Sequence, residues 1–506
     1  MGNLSTAGSR MAPRDGVFRA AVAGLFPGPG RPAATWPAGA ALLGALCGGM
    51  VAVAGMNGLY LCLSLLGAGL ILRDFRIGVV LLILLMPISG SRVFPHEMLG
   101  VTGLNPFNLL LAATFGSFAL QGLFDGRLLR FVPSPLLWLF IAPFLLAGAL
   151  GARHVDEIVP GFYDYELINF SGTMGYLRDM VAKPLLMVMF ALLVGAAAAR
   201  SERPGRFLIP TVISMWVMSL LVIVFVVLSG RGISDLASAG SRNFLNALGM
   251  HANELGRLYT VAYALLLFTW ARSELRIVRL TLVASMGMIM VALLLTFSRS
   301  AFAGVVIVSG LYLLWHRNVR ALVFLALLSL IALLALPEAV YDRVTTGFGE
   351  GLDAITAGRL EGLWIPLIPD ALDSLIFGSG LGSTLWTDAM RAGAGVSVLP
   401  VTHPHSAYLQ ALLDMGLVGL ILLCLYFAHV WRGFRALGED PTLSPASRGF
   451  FLGAAAGLFA FLVAAVMDGA LTPRPEQSYL WLAIGMMYGH LRSEPRPPVA
   501  GEPSER

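Results

Sequence analysis

Long apolar runs alternate with short polar connections along most of the chain. A hydrocarbon core about 30 Å thick takes roughly 17–25 apolar residues per helix, and by that measure about fourteen segments stand out. They lie near 38–55, 58–72, 77–89, 107–123, 134–150, 181–199, 207–229, 256–271, 281–297, 300–315, 321–336, 410–430, 449–466 and 477–491. The third is short and several form close pairs, so the expected count is about 12–14. The pattern predicts an all-α fold, a polytopic transmembrane helix bundle with a large, partly helical outer loop. Residues 38–491 read as a single membrane domain, residues 1–37 as a polar segment before it. No cleavable signal pattern lies close to Met1, so the first apolar segment is expected to act as an uncleaved anchor. The tail 492–506 is rich in proline and charge and reads as disordered.

The polar connections set the orientation. Arginines gather in alternate short connections: Arg73 and Arg76; Arg127 and Arg130; Arg200, Arg203 and Arg206; Arg272, Arg276 and Arg279; Arg317 and Arg320; Arg432, Arg435 and Arg448; Arg492 and Arg496. Placing these inside, with both termini, puts most of the 34 basic residues in the cytoplasm. Three long loops then face outward, at 151–180, 230–255 and 337–409. The last is acidic over 338–391 and carries apolar stretches of its own. Loops of that kind are usually functional.

Composition agrees. Hydrophobic types make up 57% and charged types 12%, with a mean hydropathy of +0.79. A soluble domain would show about 45–50% and about 25%. The net charge of +5 is scattered in twos and threes, as loop anchors are, and does not signal nucleic acid. Lys183 is the only lysine, so an arginine is informative by position, not by type. Cys47, Cys62 and Cys424 all lie in apolar runs and suggest neither a disulfide framework nor a metal site.

The polar outer positions are candidates for chemistry. Arg299 stands in T-F-S-R-S, the main polar cluster and the only charge between Leu280 and Trp315, where two spans must turn. A charge at that depth faces a cavity or partner, or else snorkels to headgroups. Thr356-Ala357-Gly358-Arg359 reads as a helix start, setting a guanidinium beside free backbone N–H groups, a pairing suited to an oxyanion or to a loop carboxylate. His403 and His405, in H-P-H-S-A-Y-L-Q, open a span at the outer face. A histidine there fits a general base, a structural role or half of a metal pair. No carboxylate or third histidine stands at ligand spacing, so no metal or other cofactor is expected. Gly378-Ser379-Gly380-Leu381-Gly382 has no preceding strand or following lysine and reads as a tight turn. Arg178, Lys183, Arg242, His251, Asn253, Glu254 and Arg474 are further outer residues able to join a site.

In order, T-F-S-R-S, G-R-L-E-G-L-W, G-S-G-L-G and H-P-H-S-A-Y-L-Q-A-L-L-D-M-G-L-V-G-L, preceded by M-H-A-N-E-L-G at 250–256, resemble the O-antigen ligase and O-antigen/exopolysaccharide polymerase superfamily. The resemblance covers roughly 240–430. It implies a bacterial inner-membrane glycosyltransferase of the GT-C type, with its active site in the periplasm. The donor it implies is a glycan on undecaprenyl diphosphate. The acceptor is another lipid-linked glycan for a polymerase, or lipid A-core for a ligase. Arg299 and Arg359 correspond to the family's diphosphate-binding arginines and His405 to its essential histidine. Ser406 follows His405 where the family often has asparagine, and His403 is a second candidate. The implied transfer is metal-independent and inverting. The size of the chain favours polymerisation over ligation. A lipid-linked glycan flippase is a more distant alternative, set against by the absence of an internal repeat and of charges near the midplane. A peptidoglycan-type polymerase would rely on a loop aspartate.

Overall fold

The computed structural model describes residues 35–92, 95, 97–98, 100–125, 131–230, 241–316, 349, 351–393 and 401–492. It is 79% helical. Among the described residues the only strands are an antiparallel pair, Glu97–Met98 (β1) and Val101–Thr102 (β2). The all-α expectation holds.

The described residues divide into two compact units, one within 1–81 and 95–131, the other within 82–94 and 132–506. In the first, Thr35–Arg73 (α1) turns back on itself at Gly55, whose φ of 57° and ψ of −134° no helix accommodates. Cys62 Sγ comes within 3.8 Å of the Cys47 carbonyl. Fifteen residues of straight helix would separate them by about 22 Å. The segments read at 38–55 and 58–72 are thus the legs of a hairpin, closed where Gly58, lacking a Cβ, lies against the Met50 backbone. The division between units falls within Phe75–Leu85 (α2). Pro106–Asp125 (α3) joins the first unit through Ser117, whose hydroxyl donates to the Ile71 carbonyl at 2.7 Å.

The second unit holds Ser134–Gly151 (α4), Gly172–Arg200 (α5), Leu208–Leu228 (α6), Ala252–Arg272 (α7), Arg276–Leu294 (α8), Arg299–His316 (α9), Ile365–Asp373 (α10), Ala407–Glu439 (α11), Pro445–Ala464 (α12) and Ser478–Arg492 (α13). Eight helices among the described residues are long and apolar enough to cross a membrane: the second leg and part of the first leg of α1 counted as one, α3, α4, α5, α6, α8, α11 and α12. The expected spans at 77–89 and 300–315 fall on shorter apolar helices. Those at 256–271 and 477–491 fall on α7 and α13, and 321–336 lies outside the described residues.

Helix α7 is the axis of this unit, buried on every side from Leu255 to Thr269. An all-round buried helix needs close neighbours, and α12 supplies one through Gly449, Gly453 and Gly457. Spaced four apart, they form one bare stripe that lies on the α7 backbone at Phe268, Ala264 and Val261. Gly485 and Gly489 of α13 meet Ala191 and Gly195 of α5 in the same way. Small residues let backbones approach where lipid offers no hydrophobic drive for association.

Two kinds of irregularity shape the helices. Wide π-type turns occur at Leu137–Ile141, Leu177–Ala182 and Leu360–Trp364. Each ends two residues before a proline: Pro143, Pro184 and Pro366. Proline has no N–H and its ring crowds the carbonyl four residues back, so widening the preceding turn relieves the clash without breaking the helix. Helix α11 breaks at Gly416, where φ is 64° and ψ −169°. Segment 375–380 takes over the lost bonds: Leu417 and Val418 amides donate to the Leu375 and Ile376 carbonyls, and Ser379 and Gly380 amides to those of Leu413 and Asp414. Asp414 is buried and accepts from both the amide and hydroxyl of Ser383, at 3.0 and 2.8 Å.

Candidate functional site

The polar candidates meet at one end of the second unit. Helices α7, α9 and α11 begin there, α8 and α12 finish there, and α13 sets out from there; alternating helix direction makes those ends neighbours. The turn expected at T-F-S-R-S is present: α8 stops at Leu294 and α9 starts on Arg299. Ser298 is buried, its hydroxyl 3.0 Å from that of Ser300.

His405 precedes α11, whose first turn is capped by Ser406. Its φ of 51° is left-handed, a costly setting for a residue with a side chain. The ring packs on His403, with centroids 4.3 Å apart, and Nδ1 stands 3.4 Å from Oδ1 of Asp468. Asp468 lies in the connection between α12 and α13 and is nearly buried. Its Oδ2 faces Arg257 at 3.0 Å and accepts from Asn253 Nδ2 at 3.1 Å. The Gly469 amide donates to Oδ1 at 2.8 Å. Arg257, itself 4% exposed, reaches on to buried Glu476 at 3.2 Å. Two carboxylates thus share one sequestered guanidinium, which keeps neither charge alone in a low dielectric. Burial by itself would raise the Asp468 carboxyl, but the His405 contact and the Arg257 and Arg359 charges hold it well below the carboxylate range. Burial pushes the His403 imidazole well below its ordinary value, and Arg474 and His405 press the same way.

Arg359 joins this cluster from the large loop. Its Nη1 donates to the Met467 carbonyl at 2.5 Å, the residue before Asp468. Burial draws the guanidinium below its ordinary value against the pull of Asp468, and Arg299 and Arg257 add to the lowering. Arg299 and Arg359 therefore share one field. Trp364, at the end of the π turn after Arg359, donates from Nε1 to the Pro404 carbonyl at 2.7 Å and ties the arginine segment to the histidine segment.

One expectation needs correcting. The backbone N–H groups beside Arg359 are not free: the Leu360 amide donates to Thr356 Oγ1 at 3.2 Å, and that of Glu361 to Asp353 Oδ1 at 3.0 Å. A helix start this short caps itself, leaving the guanidinium and not the helix end to meet an anion. The ground for expecting no metal also changes. His403, His405 and Asp468 each offer a ligand atom, all within 4.8 Å of one another. The carboxylate missing from the local sequence arrives 63 positions after His405.

Asn253 belongs to the cluster, and His251 forms a capping box with Glu254 at the start of α7. Arg474 acts on His403 and Glu254 through its charge. Arg178 is spent on Asp179 at 2.8 Å, where Lys183 also pairs at 2.8 Å. Arg242 lies in the turn Ser241–Leu248, and its side chain falls outside the described residues. Asp468, Arg257 and Glu476 were not anticipated. A signal existed: Arg257 is an ionisable residue inside an expected span, and Asp468 and Glu476 bound the last outer connection.

Residues 283–424 match a family model described as O-Antigen ligase. The match takes in Arg299, Arg359, His403 and His405, and ends before Asp468. None of the curated proteins compared with the chain matches it.

Proposed function

Starting from its place in the O-antigen ligase/polymerase superfamily, we propose that this chain is a glycosyltransferase that moves a glycan from undecaprenyl diphosphate to a hydroxyl acceptor at the periplasmic face of the inner membrane. Residues 38–491 act as one membrane enzyme with both termini in the cytoplasm. The observation that carries the reading is the convergence of Arg359 and His405 on the adjacent residues Met467 and Asp468.

In the proposed step the acceptor oxygen forms a bond to the donor's anomeric carbon from the face opposite the diphosphate. The bond from that carbon to the phosphate oxygen breaks, and its electron pair leaves with the lipid diphosphate. The acceptor proton goes to His405. With Nδ1–H turned to Asp468, Nε2 keeps the lone pair that takes it, and Asp468 stabilises the imidazolium that results. Arg299 and Arg359 receive the charge growing on the diphosphate, the work a divalent metal does elsewhere. One displacement inverts the anomeric centre. Asp468, Arg257 and Asn253 act as positioning residues for His405.

Polymerisation of lipid-linked repeat units is the reading preferred here. The second reading, ligation of finished glycan to lipid A-core, takes up the O-Antigen ligase description of the matched family. The lipid-linked and surface glycans of a deletion strain, complemented with wild type or His405→Ala, separate them. Single repeat units accumulating on the carrier, with long chains restored by wild type alone, mark a polymerase using His405. Long chains held on the carrier mark a ligase. Full restoration by His405→Ala rejects the catalytic assignment. Purified enzyme should keep its activity in EDTA; complete loss there rejects metal-free transfer.

A further inference from the structure

The contact between His405 and Asp468 is long for a hydrogen bond. At 3.4 Å it exceeds the usual N–H···O range of about 2.7–3.2 Å. Two ligands of one tetrahedral zinc, each bound at about 2.0–2.2 Å, stand about 3.3–3.6 Å apart. The separation therefore suits a shared cation at least as well as a shared proton. A third donor is at hand, since His403 brings its ligand atom within 4.8 Å of both others. Two imidazoles and a carboxylate are the donor set that borderline divalent transition cations prefer, and three protein ligands leave one position open. Asp468 already has the outer support such ligands need: Asn253 and Arg257 hold Oδ2, and the Gly469 amide steadies Oδ1 where it faces His405.

We propose that His403, His405 and Asp468 form a binding site for zinc or a similar divalent cation, and that occupancy of this site switches transfer off: a cation on Nδ1 of His405 moves the ring proton to Nε2, which then has no lone pair for the acceptor proton. The binding half stands on the donor geometry alone; the inhibitory half rests on His405 being the base. The Arg257 and Arg359 cations beside the site oppose a second positive charge, so binding is reversible and weaker than at a structural zinc site. Transfer would then answer to the free cation outside the membrane.

The test uses the full chain, without an affinity tag of histidines, stripped with EDTA, returned to chelator-free buffer and titrated with zinc chloride. Bound zinc should reach about one per chain, and His403→Gln should weaken binding about tenfold or more. The X-ray absorption spectrum of the zinc-loaded wild type should show imidazole and oxygen ligation, a readout that needs no variant to fold. Zinc should suppress glycan transfer, and EDTA should restore it. No saturable binding, equal binding by His403→Gln, or sulfur ligation overturns the site. Binding at the site accompanied by faster transfer overturns the inhibitory half and, with it, metal-free catalysis by His405. Inactivity of the wild type on every lipid-linked glycan, with zinc still bound, rejects the transferase reading and the inhibitory half while the site stands.

Discussion

Phe297, Ala357 and His405 have φ values of 49°, 60° and 51°. The left-handed region costs a residue with a Cβ about 1–2 kcal/mol. Two of these residues stand two positions before an arginine of the candidate site and the third is its histidine, so strain there accompanies a sharp turn that aims a charge; Glu166, with a φ of 53°, is a fourth such residue and lies in the earlier 151–180 loop. Ala357 tests this cleanly because it is exposed. Ala357→Gly should leave stability unchanged or raise it by up to about 1 kcal/mol, release of strain being offset by the added freedom of the unfolded chain. Ala357→Val should lower it by about 1–2 kcal/mol, read as the thermal midpoint in detergent. The buried charges make a stronger demand. Arg257→Met would strand Asp468 and Glu476 and should destabilise by about 3–5 kcal/mol. Adding Glu476→Gln should recover part of that loss, whereas strict additivity of the two changes would rule out the shared ion pair. His405, Arg299 and Arg359 were legible because each lies in a distinctive local string. Asp468, Arg257 and Glu476 lie in no such string and carry only the weaker signal of position, an ionisable residue inside an expected span and two acids bounding the last outer connection; only folding gives them a histidine and each other.

At the scale of elements, the apolar pattern located the helices well but not their interruptions. The turn at Gly55 separates two runs and could be read. The break at Gly416 could not, because apolar residues continue straight through it and the compensating bonds come from a segment some forty positions earlier. Gly416→Ala would place a Cβ against the Ile376 carbonyl in a left-handed setting. It should leave little folded protein, scored as the monodisperse fraction on gel filtration; wild-type yield and stability would contradict the proposed joint. The π turn at Leu360–Trp364 is equally hidden, although a proline follows it. Pro366→Ala restores an amide that can bond four residues back. Tightening to a regular turn would rotate Trp364 relative to Arg359 by on the order of 100°, one residue's share of an α-helix. Loss of the Trp364 bond to Pro404 should then lower transfer by about tenfold, with the thermal midpoint little changed.

For the whole molecule, the sidedness read from the arginines and the structure's placement of the candidate site are independent observations that agree in one respect. Arg276 and Arg279 open α8 and Arg435 lies near the close of α11, at the ends opposite those that carry Arg299 and His405. Charge bias predicts which end faces the cytoplasm, and single-cysteine labelling can decide it. In a cysteine-free background, Asp388→Cys should react with a membrane-impermeant maleimide in intact, outer-membrane-permeabilised cells. Glu439→Cys should react only once the inner membrane is opened. The opposite result would turn the molecule over and remove the periplasmic reading with it. The number of spans is not fixed by the apolar pattern, since α7 carries charges in its first turns and α13 is short.

The joint between segment 375–380 and the two halves of α11 also limits how such proteins can be recombined. A loop attached only at its ends could be exchanged between relatives to alter acceptor choice. Here the loop's backbone completes the hydrogen bonding of a helix beyond it, so a graft of the loop alone would leave amides at Leu417 and Val418 without acceptors. The smallest transplantable cassette therefore runs from about residue 351 through the end of α11 at Glu439, carrying Arg359, His403, His405 and the mended break together.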